Sequence, residues 1–143
     1  MNKVLEGIRV LEVAQYVFVP IATGVLSEWG ADVIKIEHPV TGDAYRGLRS
    51  SGALAVSGPV NYAIQHANRG KKSVGIDLAN PEGRKILDQL IAEADVFVTN
   101  MLPGVRRRLH IEVEDVRKAN PKIIYARGSA LGVRGPEANQ GGF

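Results

Sequence analysis

The stretch Ser73-Val74-Gly75-Ile76-Asp77-Leu78-Ala79-Asn80-Pro81-Glu82, continuing through GRKILDQLIAEA to Asp95-Val96-Phe97-Val98-Thr99, decides the fold class. Residues 73–78 form a short β-branched run and read as a strand. Asn80 supplies a helix N-cap, with Pro81 at the first helical position and Glu82 behind it. Ile86, Leu87, Leu90 and Ile91 then recur at helical spacing, an apolar stripe that lasts through Ala94. Asp95 to Thr99 returns to strand. Strand, helix and strand in this order make one βαβ unit.

The same alternation extends in both directions. Upstream, residues 8–13 (IRVLEV) read as a strand, Ile21 to Trp29 as a helix stopped by Gly30, and Asp32 to Glu37 as a second strand. Pro20 sits where a first helical turn tolerates it. Downstream, Pro103 to Leu109 and Glu112 to Ala119 read as two short helices, the second ended by Asn120-Pro121, and Lys122 to Arg127 as a fifth strand. His38 to about Val60 shows no sustained period and is rich in Gly, Ser and Pro. It reads as a long loop of the kind that is usually functional. From Gly128 onward the chain is glycine-rich loop. The whole predicts an α/β fold: an open, mainly parallel sheet with flanking helices. Ligands in such sheets gather beyond the carboxyl ends of the strands, here residues 14–17, 37–39, 78–80, 99–104 and 127–129.

Composition agrees with an ordinary globular domain. The 143 residues are 45% hydrophobic and 23% charged, which argues against intrinsic disorder. The absence of cysteine excludes disulfides, thiolate zinc sites and a cysteine nucleophile. MNKVLEGIRV lacks the apolar core of a signal peptide, and the apolar run from Tyr16 to Leu26 is broken by Pro20 and too short to span a bilayer. No membrane partner is expected. The net charge of +3 is concentrated in Arg69, Lys71 and Lys72 and in Arg106, Arg107 and Arg108. Such clusters suit an anionic partner or simply a solvated face. With only 6% aromatic residues and no stacking motif, nucleic acid is not the expected partner.

Several site motifs fail on inspection. Residues 14–19 (AQYVFV), after the first strand, contain no glycine, so a dinucleotide fingerprint is absent. Gly70-Lys71-Lys72-Ser73 has Gln65 where a phosphate loop needs its leading glycine, and it runs into a strand. His38, His66 and His110 stand alone, so no metal site is expected. No G-x-S-x-G elbow occurs.

Taken together, the segments resemble the family III CoA-transferases, the group of formyl-CoA and carnitine CoA-transferases. The resemblance runs through residues 5–12 (LEGIRVLE), 30–37 (GADVIKIE), 42–47 (GDAYRG) and 68–78 (NRGKKSVGIDL). It continues through 80–83 (NPEG), 94–100 (ADVFVTN), 103–105 (PGV) and 120–126 (NPKIIYA). The order and spacing of these blocks, more than any one of them, carry the match.

The resemblance implies a Rossmann-like large domain with CoA lying across it, of which residues 1–143 would form the N-terminal portion. It implies an enzyme that moves CoA between an acyl-CoA thioester and a free carboxylic acid, with no prosthetic group and no metal. The nucleophile would be an aspartate beyond residue 143, so no catalytic residue is assigned within the chain, and the chain alone is expected to be inert. Two interlocked subunits and a cytoplasmic location are the corresponding expectations. Carried across, the CoA contacts fall on His38, Lys72, Leu78, Asn100, Met101 and Arg108. His38 departs from the arginine of many relatives, and a histidine is only partly charged near neutral pH. Tyr16 and Val17 fall at the acyl site, where Val17 replaces a glutamine of formyl-CoA transferase.

Bland readings stand beside these. Arg106 and Arg107 read as solvated, and Arg69, Lys71 and Lys72 as charge protecting a strand edge. Asn100 could merely satisfy a turn. Tyr16 and Phe18 could be core or interface aromatics, and Trp29 packing at a helix end. Two alternative functions remain. One is an α-methylacyl-CoA racemase of the same fold, disfavoured because Phe143 follows Gly142 where a racemase needs a histidine. The other is a non-catalytic CoA-binding module.

Overall fold

Among the described residues five strands form one sheet: Arg9–Val13 (β1), Asp32–Glu37 (β2), Lys72–Gly75 (β3), Val96–Thr99 (β4) and Ile124–Arg127 (β5). They lie in the order β3-β2-β1-β4-β5, and every pair is parallel. This is a computed structural model, which describes residues 3–52 and 58–141. Six helices connect the strands: Phe18–Glu28 (α1), Ala44–Ser50 (α2), Tyr62–Asn68 (α3), Pro81–Ala92 (α4), Pro103–Arg108 (α5) and Val113–Ala119 (α6).

Helices on both faces leave the inner strands no solvent side, so β1 and β2 are buried through nearly their whole length. The period of two sends Leu11, Val13, Ile36 and Phe97 to one face, against Leu87 and Ile91 of α4 and Ile111 and Val116 around α6. Val10, Val33 and Val98 face the other way, against Val19 and Leu26 of α1. Burying these side chains at roughly 25 cal/mol per Å² is the main force holding the three layers together.

The predicted start of α4 is observed: the Asn80 side chain accepts from Glu82 N at 2.9 Å. Gly83 lets that first turn press on the β3–α4 connection, since a Cβ there would stand 2.1 Å from Asp77 O. The Asn120-Pro121 stop has a tertiary purpose as well. Asn120 Nδ2 donates to Ile91 O at 3.1 Å and Ala94 O at 2.8 Å, tying the end of α6 to the end of α4. Tyr125 stacks on Phe97, with centroids 5.4 Å apart, and its hydroxyl donates to Ile111 O at 2.8 Å. Burial pushes its phenol up to about 12, so it stays neutral.

Four expectations need correction. The stretch 38–60 is not wholly loop: Asp43 caps α2, accepting from Tyr45 N at 2.9 Å. Residues 53–57, also within that predicted loop, lie outside the described residues. Helix α1 begins at Phe18, so Pro20 lies inside its first turn, where a missing N–H costs nothing. Strand β3 ends at Gly75, leaving Ile76 to Leu78 beyond its pairing with β2. Trp29, expected to pack, is half exposed at the end of α1.

Candidate functional site

The strand order reverses between β1 and β4, and the chain after each of those strands meets there. Asn100, just past β4, brackets Gln15, just past β1: Gln15 N donates to Asn100 Oδ1 at 3.0 Å, and Asn100 Nδ2 donates to Gln15 O at 2.7 Å. The next residue, Tyr16, has φ 66°, a left-handed conformation that costs a non-glycine residue about 1–3 kcal/mol. Tyr16 N donates to Asp43 Oδ1 at 3.0 Å, so three hydrogen bonds hold two consecutive residues of this turn.

Asp43 is itself part of a buried network of four charges. Lys35 Nζ stands 2.9 Å from Asp43 Oδ2 and 2.7 Å from Glu12 Oε1, and donates to Ala14 O at 2.8 Å. The other oxygen of Glu12 takes Lys71 Nζ at 2.7 Å and the Thr23 hydroxyl. Lys71 also donates to Pro20 O at 2.7 Å and Asn68 Oδ1 at 3.0 Å. Two carboxylates and two ammonium groups balance inside the α1 face of the sheet. Burial opposes the Lys35 charge, but Glu12 and Asp43 more than offset it and hold its pKa above the ordinary lysine value. For Lys71 burial prevails and lowers the pKa, despite Glu12. Lys71 is therefore not edge protection, and among the described residues Arg69 is engaged by Glu28 and Lys72 by Asp32.

A cavity of about 620 Å³ opens at the switch point. Tyr16, Phe18, Asn100, Met101, Arg107 and Arg127 are among the residues that line it. Gly128, at the end of β5, is also in its wall, and a Cβ there would come within 2.5 Å of Phe18 Cε2 and Val19 Cγ2. Only glycine lets the chain pass α1 at that distance. Arg106, expected to be solvated, is buried: it donates to Glu112 Oε2 at 3.1 Å and to Met101 O at 2.6 Å, pinning the chain after β4 to α5 and α6.

Of the anticipated contacts, Tyr16, Asn100 and Met101 come together in this cavity. Val17 is next to Tyr16 but does not line it. His38 and Leu78 lie beyond the carboxyl ends of β2 and β3, on the same edge of the sheet. His38 Nε2 is 4.0 Å from Asp77 Oδ1, while its Nδ1 accepts from the Val40 and Thr41 amides at 3.2 Å each. Leu78 packs on the core. Lys72 stands at the opposite, amino end of the sheet, 2.6 Å from Asp32. Arg108 is exposed and outside the cavity wall. Gly142 and Phe143, on which the racemase comparison turned, lie outside the described residues. The signal for the buried network was present in Glu12 and Lys35, each a charge at an inward position of a predicted inner strand. Among the described residues no group of His, Asp and Glu could hold a metal ion, and no helix is long and apolar enough to cross a membrane.

Replacing Asn100 with alanine removes both bonds to Gln15 and leaves a strained turn without one support. We expect about 1–3 kcal/mol of destabilisation, read as a lower urea midpoint. An unchanged midpoint would show that the bracket is dispensable.

An open parallel sheet with a cavity at its switch point is the architecture of a ligand-binding α/β domain. The pattern of CoA-transferase family III matches residues 5–143, and the chain belongs to that family. It is 37% identical over 141 residues to succinyl-CoA:glutarate CoA-transferase of Mus musculus, covering 99% of this chain and 31% of that protein. It is 38% identical over 132 residues to formyl-CoA:oxalate CoA-transferase of Afipia carboxidovorans, covering 92% and 30%. A solved CAIB/BAIF family protein from Brucella suis superposes with a TM-score of 0.85 at 34% identity, over 100% of this chain and 38% of that one. The chain thus spans about a third of the length of the curated relatives it matches.

Proposed function

We propose that residues 1–143 form the N-terminal portion of the Rossmann-like, CoA-binding domain of an acyl-CoA:carboxylate CoA-transferase. The observation that carries this reading is the family match over residues 5–143, which includes every segment lining the switch-point cavity before Gly142. Acyl-CoA would lie along the carboxyl edge of the sheet, past His38 and Leu78 towards Asn100, Met101 and Tyr16, with Val17 beside the acyl end. Arg108 would then need a ligand long enough to leave the cavity, while Lys72, at the amino end of the sheet beside Asp32, is off this path.

In this reading the nucleophile is an aspartate carried beyond residue 143. Its carboxylate attacks the thioester carbonyl, the C–S bond breaks, and CoA leaves as thiolate from a mixed anhydride. The thiolate attacks the aspartyl carbonyl of that anhydride, releasing the donor acid and leaving an aspartyl-CoA thioester. The acceptor carboxylate repeats the sequence in reverse, and the aspartate is regenerated. One thioester replaces another, so the exchange needs no external energy source, metal or prosthetic group. The working unit is an interlocked homodimer in the cytoplasm, with acyl-CoA and a carboxylic acid as its partners.

The test is to incubate the full-length protein with succinyl-CoA and a panel of carboxylic acids and separate the CoA esters by chromatography. A new acyl-CoA, formed only with the matching acid, is expected. The 143-residue chain alone should form none. A folded full-length protein that yields no new ester with any acid, while binding CoA, would leave the non-catalytic binding module as the better account.

A further inference from the structure

We infer that Arg107 and Arg127 form an oxyanion-binding wall in the switch-point cavity, for a phosphate or carboxylate group that the substrate carries away from its thioester. The inference deepens the acyl-CoA reading above and rests on it for the identity of the substrate.

The two arginines reach the cavity from different elements. Arg107 belongs to α5, and Arg127 is the last residue of β5, paired in register with Thr99. The alternation of β5 puts Arg127 on the same face as Tyr125. The Tyr125 hydroxyl reaches Ile111, in the turn that follows α5, so Arg127 approaches from the α5 side, as Arg107 does. The other two charged residues in the wall, Arg106 and Glu112, neutralise one another at 3.1 Å. Two positive charges are left. Among the described residues no hydrogen bond or ion pair engages either guanidinium.

Several other cations of the fold are paired with carboxylates. Lys35 and Lys71 face carboxylates in the core, and Arg46, Arg69 and Lys72 do so nearer the surface. Two unneutralised guanidiniums line one cavity, and their planar forks suit the paired oxygens of phosphate and carboxylate. Arg108, the position expected from sequence to meet phosphate, is outside the wall. The anion-binding charge in the cavity comes instead from its neighbour and from β5.

The test is calorimetric titration of the full-length protein and of Arg107→Met, Arg127→Met, the double variant and Arg127→Lys. The probes are CoA, 3′-dephospho-CoA, inorganic diphosphate, glutarate and butyrate. Each arginine is exposed, so the variants should keep the parent's circular dichroism. We expect each methionine variant to weaken binding of at least one anionic probe about tenfold, with partial recovery in Arg127→Lys. A loss with CoA that shrinks with 3′-dephospho-CoA identifies the phosphate as the group bound. A loss with glutarate but not butyrate identifies a distal carboxylate. If the parent binds diphosphate through both arginines but not CoA, the wall stands and the acyl-CoA reading falls. Equal affinity of the parent and the double variant for every probe overturns the inference.

Discussion

Replacing Lys35 with methionine should cost the fold about 3–5 kcal/mol, the range for removing one partner from a buried ion pair. The methylene chain would still fill its place beside Val33, so packing changes little. What is lost is the ammonium that serves Glu12, Asp43 and Ala14 O together. Glu12 keeps Lys71 and Thr23. Asp43 Oδ2 is left facing the interior with no cation, while Oδ1 still holds the Tyr16 and Tyr45 amides. Urea unfolding near neutral pH checks the size of the loss. The double variant Lys35→Met/Asp43→Asn removes the stranded charge and should recover 1 kcal/mol or more, on the order of measured couplings between contacting residues. A single variant with the parent's midpoint would mean that the network contributes nothing to stability.

Acid should unfold the protein through Glu37. Arg46 donates to both of its oxygens, Nε to Oε2 at 2.7 Å and Nη2 to Oε1 at 2.8 Å, and Asp43 N adds a bond at 2.9 Å. These partners, Arg46 foremost, hold the Glu37 carboxyl down at about 2, from an ordinary 4.5. A carboxyl depressed in the folded state stabilises it fully above the unfolded value and loses that contribution as pH falls. The window is therefore from about 4.5 down to about 2. At 1.36 kcal/mol per unit the full shift corresponds to about 3 kcal/mol. Arg46 is 46% exposed, and solvent screening brings the expected contribution to roughly 2 kcal/mol. Glu37→Gln should flatten the stability profile across this window and weaken the protein at neutral pH. Parallel profiles for the two proteins would remove Glu37 as the cause.

The strand–helix alternation was legible because each inner element carries its own signal. Asp32–Glu37 is observed as read, and Asn80-Pro81 starts α4 where the capping pattern put it. The two helices between β2 and β3 were missed for a physical reason. Each is seven residues long, and α2 contains Gly47, so no apolar stripe can establish a period. Their caps, Asp43 and Asn61, were the available clues. At the site, Asn100, Met101 and Tyr16 were named from the family resemblance, and their places just past β4 and β1 bring them to one cavity. The pairing of Lys71 with Glu12 joins residues 59 apart in sequence and leaves no trace in local pattern. Charge alone made Lys71 look like a surface residue, and made Arg106 look like its neighbours on α5.

The register of β1 also has a consequence for how the chain comes together in time. Val10 pairs with Val33 on one side and with Val96 on the other. Arg9 N reaches the Asp95 carboxylate across a separation of 86 residues. No two strands of the sheet are joined by a hairpin, so every pairing must close a long loop before it gains anything, which makes assembly slow. On the ribosome β1 emerges well ahead of β4, so its second neighbour is made only after residue 95. In that interval one edge of β1 keeps its backbone N–H and C=O groups unpaired. The early chain therefore passes through a stage open to mispairing and to capture by chaperones, and the stage ends with the arrival of β4.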